Sequence, residues 1–189
     1  MGPDPSLPLI GHTLRRVAEL CPTQHMIVAT GEALVDVTRE ALPHLEESSF
    51  LAEPIAKNTA PCIAWGAQVI AERDPEAVVM VLPSDHHIED EAEFRRILSL
   101  ALSTAARGTI TTVGIKPMRA ETGYGYIEAD REHAPGVLTV NRFVEKPDLA
   151  TAERYVASGK HFWNSGMFFF RAKDMLRAVE QHLPGVHAG

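Results

Sequence analysis

The apolar positions of this chain recur at two spacings. Val78-Val79-Met80-Val81-Leu82 is an unbroken apolar run of five. It predicts a strand buried on both faces, the pattern of a central parallel strand. Pro83 has no N–H to give to a ladder and ends the run, so Ser84 and Asp85 fall at its carboxyl end. Helical spacing appears on either side. Leu14, Val17, Ala18 and Leu20 predict a short helix over 12–20, and Ile63, Ala64, Ala67, Ile70 and Ala71 predict one from Asn58 or Thr59 to about Arg73. A longer amphipathic helix is predicted over 91–106, stopped by Gly108. Short strands at 26–29 and 50–51 with a helix over 32–42 complete an α, β, α, β, α, β, α order, which implies parallel strands joined by right-handed crossovers. Beyond Gly108 the pattern turns β-branched and aromatic. Strands are predicted at 109–115, from 123, at 137–144 and at 162–170, with helices over 151–158 and 173–182. No repeat interrupts this order, so a single mixed α/β domain is the economical reading.

Composition narrows the function classes. A 189-residue chain with 45% hydrophobic and 23% charged residues suits one globular domain with a real core. The formal charge of −7 provides no electrostatic footprint for nucleic acid. Cys21 and Cys62 lack metal or CxxC spacing, which favours free thiols in a reducing cytoplasm. The first residues carry no secretion pattern, and no apolar run approaches the ~18 residues of a spanning helix.

Five polar clusters sit at predicted strand ends or bends, each open to two readings. Asp85 is placed to hold a hard cation against a phosphate, or to cap the helix that follows. In Glu53-Pro54-Ile55-Ala56-Lys57-Asn58-Thr59, free N–H groups at a helix start suit an anion or a purine edge, or Asn58 or Thr59 simply caps. Gly123-Tyr124-Gly125-Tyr126 allows close approach of a ligand to the backbone, or forms a turn or bulge. Lys146, after Val144-Glu145, can neutralise a phosphate or stand exposed at a strand end. Adjacent charges there are expected to face opposite ways, so only one of them shares a cleft with Asp85. Asn164-Ser165-Gly166 interrupts an apolar strand, which is costly unless its groups are hydrogen-bonded, whether by a ligand or in a bulge. His86 and His87 would point to opposite sides and do not make a metal pair.

Taken in order, EPxxKNTAP, VLPSDH, ETGYGYIE, FVEKP and WNSGMFFF resemble the nucleotidyltransferase domain of bacterial mannose-1-phosphate guanylyltransferases over about residues 7–186. The resemblance implies a Rossmann-like three-layer α/β/α sandwich with a mixed, mostly parallel sheet. It implies in-line attack of the phosphate oxygen of mannose 1-phosphate on the α-phosphorus of GTP, with Mg²⁺ as cofactor, pyrophosphate as leaving group and GDP-mannose as product. Carried over, Asp85 would ligate Mg²⁺. Glu53, Lys57, Asn58, Thr59 and Pro83 would border guanine and ribose. Gly125, Glu145 and Asn164 would contact the mannose hydroxyls, and Lys146 would reach the sugar phosphate. Association into a homo-oligomer is left open. Three departures accompany the match. The glycine-rich GGxGTRL loop that opens the family pattern is not in the sequence, a second metal-binding Asp is not reached, and Lys57 stands where the family has Arg. The expectation is therefore a partial domain over 1–189 that by itself is inactive or turns over barely above background. The alternative is a non-catalytic module that binds nucleotide or sugar phosphate.

Overall fold

The computed structural model describes residues 7–55 and 57–187. In chain order the regular elements are α1 (Leu9–Val17), β1 (Val28–Gly31), α2 (Val35–Ala41), β2 (Phe50–Glu53), α3 (Thr59–Ala71), β3 (Val78–Val81), α4 (Glu91–Ala105), β4 (Thr111–Ile115), β5 (Tyr126–Ala134), β6 (Val137–Val144), α5 (Leu149–Ser158), β7 (His161–Arg171), α6 (Ala172–His182) and α7 (Pro184–His187). The α/β class read from the sequence is present. The chain falls into two compact units, residues 1–111 with 168–189, and residues 112–167.

In the first unit β1 and β2 pair in parallel, Val28 opposite Phe50 and Gly31 opposite Glu53, with α2 as the connection. That is the parallel pairing predicted from the alternating pattern. α4 begins where it should because Asp90 caps it, its Oδ1 accepting from Glu93 N at 2.9 Å. Leu42, Leu98, Ala105, Phe169 and Phe170 are all but sealed from solvent and make the core.

The 78–82 run corrects the expectation of a doubly buried parallel strand. β3 pairs antiparallel with the end of β7, Val78 opposite Arg171 and Val81 opposite Phe168. Among the described residues this is its one neighbour, so Val78 is exposed and the rest only half-buried. An apolar run reports that side chains avoid water. It says nothing about the direction of the neighbour.

In the second unit β5, β6 and the start of β7 pair antiparallel. β5 and β6 form a hairpin turned at Gly136, whose φ of +75° suits glycine, and β5 also pairs with the start of β7, Tyr126 opposite Trp163. Tyr126 and Ala152 are completely buried and Trp163 nearly so, which ties α5 to the sheet. α5 is capped by Asp148, accepting from Thr151 N at 2.7 Å, and closes on Gly159 in the left-handed conformation.

Candidate active site

In the first unit the candidate residues lie at two strand ends. β3 stops at Val81, Leu82 and Pro83 are irregular, and Asp85 is exposed on the bend that follows. Its carboxylate makes no hydrogen bond or ion pair with any described residue, and the cap of α4 is Asp90, so the capping alternative is removed. Glu53 ends β2 beside Cys62 of α3. Burial first, then the Glu53 charge and a hydrogen bond to it, push the Cys62 thiol pKa up, which favours the thiol over the thiolate. Lys57, Asn58 and Thr59 are exposed at the start of α3. Asn58 occupies the cap position, yet its side chain accepts no capping bond, so the helix opens with its first N–H groups uncapped. A cavity of about 300 Å³ adjoins that first turn, but its lining of Ile63, Phe168, Met175 and Val179 is apolar and matches no purine edge.

In the second unit three motifs far apart in sequence meet. Gly125 is buried, its O accepts from Asn164 N at 2.8 Å, and a Cβ on it would lie 2.8 Å from Glu145 Oε2 and 3.6 Å from Asn164 Cβ. Only a residue without a side chain leaves that carboxylate where it is. Lys146 Nζ stands 3.7 Å from Glu145 Oε1, with both side chains mostly exposed. The expectation that these neighbours face opposite ways is corrected. Lys146 has φ +43°, and its ammonium lies at ion-pair distance from Glu145. Asn164 Oδ1 accepts from Gly166 N at 3.1 Å, while no described group accepts from its Nδ2. Ser165 is satisfied within the unit, donating to Val113 O at 2.7 Å and accepting from Met167 N. With Gly166 at φ +72°, the interruption in β7 buries Ser165 and leaves the Asn164 Nδ2 without an acceptor among the described residues.

Among the described residues the non-glycine positions with positive φ are two, Asn58 at +70° and Lys146 at +43°. Both lie in motifs singled out above. Such conformations cost about 1–3 kcal/mol each and concentrate where function requires them.

Sequence reasoning passed over the device that shapes the 119–125 loop. Glu121 Oε1 accepts from Gly123 N at 3.2 Å, Oε2 pairs with Arg119 at 3.2 Å, and Glu121 N donates to the Tyr126 hydroxyl at 2.9 Å. Arg119 and Tyr124 in turn pack on Trp163, at 5.7 and 5.3 Å between guanidinium or ring centre and the indole. An acidic residue two positions before a glycine was the available signal. The Gly123 N–H, and then Arg119, hold the Glu121 pKa below its ordinary value. A depressed carboxyl pKa stabilises above its unfolded value and loses that contribution as pH falls through the folded one. In a Trp65→Phe background, Trp163 emission is therefore expected to be constant at neutral pH and to shift only below the usual glutamate range, with Glu121→Gln abolishing the shift. A shift that survives Glu121→Gln belongs to another group.

Residues 4–186 match the nucleotidyl transferase family, and the chain belongs to it. It is 42% identical to the xanthan biosynthesis protein XanB of Xanthomonas campestris over 97% of this chain and 40% of that protein. It is 36% identical to a mannose-1-phosphate guanylyltransferase of Salmonella muenchen, over 97% and 40% respectively. Among solved structures, one described as a mannose-1-phosphate geranyltransferase from Thermus thermophilus superposes with a TM-score of 0.85 at 33% identity, covering 95% of this chain and 52% of that one. The chain thus spans about two-fifths of the length of these curated relatives. Among the described residues no helix is long and apolar enough to cross a membrane.

Proposed function

We propose that the chain is the nucleotidyltransferase portion of an enzyme that makes GDP-mannose from GTP and mannose 1-phosphate, releasing pyrophosphate, in the reducing cytoplasm that its two free cysteines suit. The observation that carries this reading is the coincidence of strain with motif. Asn58 and Lys146, the described non-glycine residues held at positive φ, are both among the residues the resemblance assigns, the first to nucleotide and the second to sugar phosphate.

The first unit serves the nucleotide. The uncapped start of α3 presents N–H groups and Lys57 to an anion or base edge. Asp85 fits a magnesium ion of the kind that substrate phosphates help to hold. It is an exposed carboxylate with no hydrogen bond or ion pair to a described residue, so a hard cation would meet an unshared oxygen donor. Bound there, Mg²⁺ would neutralise phosphate charge. The second unit serves the sugar. Glu145 accepts from hydroxyls, the Asn164 amide donates, and Gly125 keeps the wall thin enough for both. Lys146 draws the sugar phosphate, whose oxygen displaces pyrophosphate from the α-phosphorus.

Equilibrium binding tests this division. Mannose 1-phosphate is expected to bind at least ~10-fold more tightly than glucose 1-phosphate, because a site that hydrogen-bonds particular hydroxyls rejects an epimer. Equal affinities for the two sugar phosphates, or binding of neither, would remove the sugar assignment.

A further inference from the structure

We propose that Thr13 and Arg16 of α1 are positioning residues for Asp85, holding the backbone on both sides of it so that its carboxylate is presented in one place. The proposal rests on the reading of Asp85 as the metal-binding carboxylate. Thr13 and Arg16 are 6% and 5% exposed. The Thr13 hydroxyl has two carbonyls within reach, Ser84 O at 3.3 Å and Leu9 O at 3.2 Å. Arg16 Nη2 donates to His86 O at 2.9 Å and to Thr13 Oγ1 at 2.7 Å. The carbonyl of the residue after Asp85 is therefore tied to a helix seventy residues away in sequence, and that of the residue before it lies within reach of the Thr13 hydroxyl, which it shares with Leu9 O, while the side chain between them is left unbonded.

The arrangement is an expensive way to pack a helix. Among the described residues Arg16 has no carboxylate at ion-pair distance, and its buried Nε has no hydrogen-bond partner. Its guanidinium stands 6.0 Å from the Phe94 ring. Burial pushes its pKa down, opposed at longer range by Glu91. A methionine would fill the same volume without desolvating a charge. What an arginine adds is a rigid donor long enough to reach the loop carbonyl. A loop carboxylate whose backbone is fixed loses less freedom on binding a cation than one on a loose bend.

The test uses two readouts on the full chain, hydrogen exchange of the peptide covering 82–88 and the affinity for Mn²⁺ with GTP followed by electron paramagnetic resonance. Arg16→Met is expected to raise exchange in that peptide without raising it in α4, and to weaken Mn²⁺–GTP by about 10-fold. Arg16→Lys, which keeps a donor, should restore both to within about threefold. Thr13→Val, a milder change, should act in the same direction and serves if Arg16→Met does not fold. Unchanged exchange at 82–88 in both Arg16→Met and Thr13→Val overturns the clamp. Raised exchange with unaltered Mn²⁺ affinity, while Asp85→Asn abolishes that affinity, overturns the positioning role alone. If Asp85→Asn itself leaves Mn²⁺ affinity intact, the metal assignment fails and the proposal falls with it.

Discussion

Asp85→Asn is expected to weaken Mn²⁺–GTP binding by about 100-fold, or about 2.7 kcal/mol, while the melting temperature stays where it was. The two halves of that expectation have one cause. Asp85 is exposed and bonded to nothing described, so the folded chain gains nothing from its charge and loses nothing when the charge is removed. Any effect must then appear only when a ligand is present. The amide keeps the shape and one acceptor oxygen but removes the negative charge that a hard cation requires. The capping carboxylate five residues on supplies the control. Asp90→Asn keeps an N-cap of similar quality and should leave nucleotide binding alone. A loss of nucleotide affinity shared equally by the two variants would point to a disturbed loop and away from a metal ligand.

Lys146→Ala should weaken mannose 1-phosphate binding by roughly 10- to 100-fold, the equivalent of the ~1.5–3 kcal/mol typical of hydrogen bonds to charged groups, and change Mn²⁺–GTP affinity less than about twofold. The exposed Glu145–Lys146 pair contributes little to stability, so a folding defect does not confuse the measurement. Lys146→Gly sharpens it. Glycine adopts φ +43° without strain, so this variant should be more stable to unfolding than the parent, by up to about 1 kcal/mol, and still lose the sugar phosphate. Equal loss of nucleotide and sugar phosphate would move the lysine to a different role.

Much of this molecule is legible in its residues alone. The bounds of α4 can be read to within a residue because Asp90 and Gly108 are local punctuation, and local hydrogen bonds act within a turn of where they are written. The motif order is enough to place the chain in its family, since each motif names residues whose spacing along the chain survives folding. The clamp from α1, the free carboxylate and the strained lysine are not readable in this way. Direction of pairing defeats the reading of β3, whose valines look the same beside a parallel or an antiparallel neighbour. Adjacent charges at 145 and 146 look divergent if the backbone is taken as extended, and at Lys146 it is not. Ser165 looks expensive until Val113, fifty-two residues away, is found to accept its proton. Sequence by itself determined which residues avoid water, where elements start and stop, and what chemistry is on hand. Tertiary structure alone decided which polar groups spend their hydrogen bonds on the fold and which, like the Asp85 carboxylate and the Asn164 Nδ2, have no partner among the described residues, because a hydrogen bond depends on where two groups meet in space and not on how far apart they are written.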